Sequence, residues 1–200
     1  MAEAAAAAQH EDHHYTSTGL PSWKVGFWAF IGSECLFFAT LISTYMVYKG
    51  KSLVGPFPEE ILDIPLTTIS TFILLMSSLA MVLALDGIQR GSRKLTMGWL
   101  GAVILLGITF LGFQVYEFNH FVHEGLTIGT NVFGSSFYVL TGFHGAHVAG
   151  GVIWLSTLWI LAARKKLGQA DSLKVEIAGL YWHFVDVVWI AIFTLVYLIQ

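Results

Sequence analysis

The chain carries five apolar runs, each long enough to cross about 30 Å of hydrocarbon as a helix, and this constrains its fold more than any motif does. The runs lie near residues 25–48, 65–87, 95–118 with a polar continuation, 134–163 and 175–199. Inside a bilayer every backbone N–H and C=O must be satisfied within the segment, so runs of this length are expected to fold as spanning helices. Composition agrees. Of 200 residues 56% are hydrophobic and 12% charged, where a soluble domain averages about 25% charged. The expected fold is all-α, an integral membrane bundle of five transmembrane helices over residues 24–200, after a disordered polar tail over 1–23.

That tail does not read as a secretory signal. It holds Glu3, Glu11 and Asp12, lacks a basic start, and its Ala4–Ala8 run is short and weakly apolar. His10, His13 and His14 belong to it, and they read as solvated side chains because no fold fixes their geometry. The single cysteine, Cys35, cannot form an internal disulfide and reads as a small packing residue. No basic patch interleaved with aromatics is present, which argues against nucleic acid as a partner. No internal repeat appears, so the inverted-repeat signature of transporters is missing as well.

Lysine and arginine set the expected orientation. With five spans, Lys24, Arg90, Arg93, Lys94, Arg164, Lys165, Lys166 and Lys174 fall on one side, and only Lys49 and Lys51 on the other. The positive-inside rule places the N-terminus in the cytoplasm and the C-terminus outside. At about 1.5 Å per residue, Glu34 lies roughly 15 Å beyond Lys24, near the midplane. His147, His183 and Asp186 reach similar depths, with His144 one turn shallower. Gln114, Glu117 and Glu124 come late in the third span and read as an outer helix end that is wet or touches a partner.

Ionisable groups in hydrocarbon are expensive, so Glu34, His144, His147, His183 and Asp186 need an account. His144 and His147 share a helix face at i, i+3, as do His183 and Asp186. One reading is a metal or haem site. Histidine is a common ligand, but no cysteine pair or HExxH occurs, and two axial ligands cannot approach a haem from one helix face. A second is a proton relay or transport path, with Glu34 the strongest single candidate. The third is structural, a buried polar network in which Asp186 accepts from an imidazole on a neighbouring helix. Spacing alone favours the third. Gly142, Gly145, Gly150 and Gly151 would let another helix approach closely.

Several longer motifs resemble subunit III of the haem–copper oxidases, the cytochrome c oxidase and quinol oxidase superfamily. They are SECLFF at Ser33–Phe38, the IPLTTIS run, the QVYEF segment around Glu117, GSSFYVLTGFHGAHV, Glu176 and YWHFVDVVW, across nearly all of residues 24–200. The resemblance implies a non-redox accessory subunit of a respiratory oxidase that reduces dioxygen to water and pumps protons. Such a subunit is part of an oxidoreductase complex and has no catalytic centre of its own. It implies haem and copper in partner subunits and none in this chain. It also implies direct packing on subunit I, with subunit II and a small subunit IV as neighbours, and a place in the bacterial plasma membrane. Phospholipid in a cleft, stabilisation of the active site during turnover and support of proton uptake are implied too. The family's carboxylate-reagent-sensitive glutamate matches Glu34, and a lipid-contacting arginine aligns with Arg164. Long members have seven helices with the lipid cleft between the first two and the rest. Five are present here, as in the short bacterial form, so one wall of that cleft is missing from this chain. The alternatives are a subunit III-like partner of a nitric oxide reductase and a proton-coupled transporter acting alone. Whether the electron donor is cytochrome c or a quinol is a property of other chains.

Overall fold

The computed structural model describes residues 19–53, 55–57 and 61–199. The tail expected over 1–23 lies outside the described residues as far as residue 18, with His10, His13 and His14. Ser22 and Trp23 are already helical. The described residues form five long helices, each long and apolar enough to span a membrane. They are α1 (Ser22–Tyr48), α2 (Ile64–Gln89), α3 (Arg93–His123), α4 (Val132–Ala163) and α5 (Ser172–Ile192). A short 3₁₀ turn, Gln169–Asp171, leads into α5, and a wider π turn, Phe193–Leu198, continues it. The helices are apolar on all faces, as bilayer solvent allows and water does not.

Helix ends follow local chemistry. Asp63 caps α2, its Oδ1 accepting from the Leu66 backbone N–H at 3.0 Å, with Pro65 in the first turn where no N–H is needed. Asn131 caps α4 in the same way, accepting from Gly134 N–H at 2.7 Å. Between α2 and α3 only Arg90, Gly91 and Ser92 intervene, and Gly91 takes a φ of +71° that a side chain would resist. A Cβ on Gly87 would stand 2.9 Å from the Thr96 backbone nitrogen, so the two helices leave this turn in close contact. The last carbonyls of α4 are taken by Arg93, which donates from Nε to Ala162 O at 2.6 Å and from a terminal nitrogen to Ala163 O at 2.5 Å.

The described residues divide into two units, with the division after Phe37, inside α1. In the second unit α2 packs on α3 and α5, and α4 packs on α3 and α5. α5 therefore has neighbours on both flanks, and Trp182, Asp186 and Trp189 on one of its faces are buried among them. The last turns of α1 add Phe38, 4.9 Å between ring centres from His147, and Tyr45, 6.2 Å from Phe133. Lys49 donates to the Ile199 carbonyl and ties the end of α1 to the C-terminal turn.

Candidate functional site

The polar chemistry of the second unit begins with hydroxyls on one face of α2. Thr67, Ser70, Thr71 and Ser77 are buried. In a helix such hydroxyls usually donate back to a carbonyl of their own turn. Thr71 does so to Thr67 O at 2.7 Å and Ser77 to Leu74 O at 2.5 Å, which leaves their oxygens free to accept. Trp189 Nε1 donates to Thr71 Oγ1 and Trp182 Nε1 to Ser77 Oγ, both at 2.9 Å. One turn of α2 thus serves one indole of α5, and donor and acceptor capacity are both used. The Trp182 ring is slotted deeper. It occupies the space opened by Gly107 of α3 and Gly151 of α4, where a Cβ would come within 2.7 Å and 2.8 Å of its carbons.

The histidines of the two long motifs go to separate partners. His144 is fully buried, its ring 4.8 Å from Trp189 and 5.9 Å from Phe110, and its Nε2 donates to the Val185 carbonyl at 3.2 Å. His147 donates from Nδ1 to Phe143 O of its own helix at 2.8 Å, and its carbonyl accepts from Tyr181 at 3.0 Å. His183 is half-buried and pairs through Nδ1 with Ser78 Oγ at 2.6 Å. Asp186 is 3% exposed beside the Ser78 hydroxyl, and neither carboxylate oxygen makes a hydrogen bond of normal geometry among the described residues. The expected bond from an imidazole to Asp186 does not form. His144 and His147 meet backbone carbonyls instead, and His183 meets the Ser78 hydroxyl. Glu34 sits in the first unit, partly exposed along α1. Arg164 is exposed at the C-terminal cap of α4, beside Lys165 and Lys166.

The third span overturns the reading of a wet outer end. Gln114 and Glu117 are buried, and of that set only Glu124 is exposed. α3 continues to His123, so Glu117 lies inside the bundle, where two other elements reach it. Its Oε1 accepts from Thr67 Oγ1 at 2.8 Å and its Oε2 from Tyr197 Oη at 3.1 Å. Gln114 donates to Thr141 O at 2.7 Å and fills the space over Gly145, where a Cβ would stand 2.5 Å from its Oε1. Sequence reasoning missed this Glu117 node. Its signal was available in the match between hydroxyl-bearing IPLTTIS and a late tyrosine.

No group of three or more His, Cys, Asp or Glu able to hold a metal ion occurs among the described residues. His144 donates from Nε2 to a carbonyl, with its Nδ1 buried and unpaired among the described residues, and His147 meets a carbonyl of its own helix through Nδ1. The arrangement holds helices together.

The family described as cytochrome c oxidase subunit III matches residues 2–200. The chain belongs to the cytochrome c oxidase subunit III family. It is 45% identical over 174 residues to the cytochrome c oxidase subunit 3 of Bacillus sp. (strain PS3), covering 87% of this chain and 84% of that protein. It is 46% identical over 175 residues to the Bacillus subtilis (strain 168) protein of the same description, with 87% and 84% covered. The quinol oxidase subunit 3 of Bacillus spizizenii is 43% identical over 174 residues, covering 87% and 85%. A subunit III of this kind is an accessory subunit of a respiratory terminal oxidase, a multi-pass protein of the bacterial plasma membrane, and a member of an oxidoreductase complex. A transporter acting alone is not favoured.

Proposed function

We propose that this subunit III packs directly on the large catalytic subunit I, with subunit II and a small subunit IV as further neighbours. There it steadies the active site through turnover and supports proton uptake while holding no redox group itself. The observation that carries this reading is the use made of the polar residues. Trp182, Trp189, His144, Gln114 and Glu117 all spend their hydrogen bonds on joining one helix to the next. Such a chain is a brace. Haem and copper then belong to partner chains, and the N-terminus faces the cytoplasm on the asymmetry of lysine and arginine. Lipid is part of the same reading. Glu34 on the exposed part of α1 and Arg164 with its neighbouring lysines are the groups proposed to face it, the cations suiting a phosphate.

The test is purification through a tag on this chain in mild detergent. Co-elution of a much larger subunit carrying haem absorbance is expected. The chain separated from that complex should show no haem band and no copper. Stoichiometric haem in the separated chain would overturn the proposal, as would a lone oligomer active in transport.

A further inference from the structure

The basic end of the bundle keeps four cations free. Arg90 pairs with Asp86, Lys174 with Asp171, and Arg93 donates to the last carbonyls of α4. Lys94, Arg164, Lys165 and Lys166 are exposed, and no side-chain hydrogen bond or ion pair holds them among the described residues. The Arg93 clasp joins the start of α3 to the end of α4, so the four gather at one edge. The backbone marks the same spot. Lys165 has a φ of 59°, the single positive value outside glycine among the described residues. Its turn is otherwise regular, with Lys165 N–H on Ala162 O at 3.1 Å and Lys166 N–H on Leu161 O at 2.9 Å. Glycine is the usual occupant of this left-handed position after a helix, because a Cβ is crowded there. A lysine where the turn alone favours glycine points to a use for its side chain.

Next to these cations, toward the bilayer, the surface turns apolar. Trp159 Nε1 donates to Met97 O at 3.1 Å, so its indole lies across the seam of α3 and α4. Trp99 follows Lys94 by five residues and Trp159 precedes Arg164 by five. Each indole therefore sits about 7.5 Å inside the nearest cation of its own helix, the level at which tryptophans settle beneath headgroups. Leu95 and Ile160, on the same turns, are 47% and 44% exposed. Cations at the ends of two spans stand at the level of lipid phosphates, and the apolar wall beneath stands at the level of the first acyl carbons. A free phosphate would use the cations and not the wall. An acidic protein segment at this level would leave the wall bare. A phospholipid with a net negative headgroup uses both.

We propose that this end of the α3–α4 seam seats one anionic phospholipid. Lys94, Arg164, Lys165 and Lys166 hold its phosphate, and an acyl chain lies against Trp99 and Ile160. The inference rests on the lipid part of the proposed function, and adds the place, the headgroup charge and the residues from α3. It does not use the cleft of longer family members, one wall of which is two helices that this chain lacks.

The whole complex, purified through a tag on this chain, supplies the test. It is irradiated in mild detergent with phosphatidylglycerol carrying a diazirine on one acyl chain, and the labelled peptides of this chain are mapped. Label is expected on residues 95–99 and 159–160. Unlabelled phosphatidylglycerol should displace it at a much lower concentration than phosphatidylcholine, and inorganic phosphate should not displace it. Lys94→Gln combined with Lys165→Gly should weaken displacement by phosphatidylglycerol by about 30-fold, since each lysine at a membrane surface is worth about a 5-fold change. The second substitution also relieves the strained turn, so lost binding in a complex recovered at normal yield is not a folding defect. Equal displacement by the two lipids, displacement by phosphate, an unaltered double variant or an unlabelled seam would each overturn the seat. Label found on α1 around Glu34 instead would leave the lipid part of the proposed function standing. No label anywhere on this chain would remove both.

Discussion

The ring of Trp182 stands where a Cβ on Gly107 would have to be, 2.7 Å from its Cη2. The glycine is thus a slot for the indole, which reaches from α5 across the interior to α3. Gly107→Ala forces either the helices apart or the indole out of its bond with Ser77, a kind of overpacking that costs about 1–3 kcal/mol. A lower melting temperature of the purified complex is expected. Gly98→Ala, in the same helix but with nothing within 4 Å of the added carbon, should leave it unchanged or raise it. Matching melting temperatures for the two variants would show that the slot is slack.

Glu117 holds the C-terminal turn to the body of the unit, since the same carboxylate accepts from Thr67 at the start of α2 and from Tyr197 near the chain end. Glu117→Leu strands the buried Tyr197 hydroxyl, at an expected cost of about 1–3 kcal/mol, whereas Thr67 keeps the Asp63 carbonyl at 2.8 Å as its acceptor. Glu117→Gln keeps one acceptor oxygen and should cost less. Hydrogen exchange over residues 193–199 is the direct readout. It should be faster in Glu117→Leu than in Glu117→Gln, and slowest in the unaltered chain. Identical exchange in all three would mean that the Lys49 contact and apolar packing alone secure the turn.

All five spans are legible in the sequence because length and hydropathy alone decide a bilayer crossing, and the caps at Asp63 and Asn131 obey local rules. The interior is less legible. Depth counting places His147, His183 and Asp186 at similar depths, with His144 one turn shallower, but it carries no information about azimuth, and azimuth selects a partner. His144 turns to a backbone carbonyl and His183 to Ser78, choices that no periodicity encodes. Glu117 is misread for a related reason. Six polar or charged positions cluster around the end of the third span, from Gln114 to Glu124, and composition cannot tell which of them face inward. The glycines are half legible. A stretch such as Gly142–Gly151 announces close approach, whereas Gly107, alone in an apolar run, is matched to Trp182 only once the helices are assembled.

Asp186 offers a prediction whose sign depends on whether it is paired. A carboxyl bonded to an imidazole would be missed on removal, and Asp186→Leu would then destabilise by about 1–3 kcal/mol. In the structure both oxygens are buried without a partner among the described residues, between Trp182 and Trp189 on the inward face of α5. Desolvation of such a group opposes folding, and replacing it with an apolar side chain of similar size removes that cost, while the nearby Ser78 hydroxyl keeps its bond to His183. Asp186→Leu is therefore expected to leave the melting temperature of the complex unchanged or to raise it, and Asp186→Asn, which keeps the polarity, to gain less. If a stabilised Asp186→Leu complex also turns over more slowly, the carboxyl serves activity at the expense of stability, as buried ionisable groups in membrane spans commonly do. A marked fall in melting temperature would instead reveal a bonding partner that reaches Asp186 from another chain of the assembly.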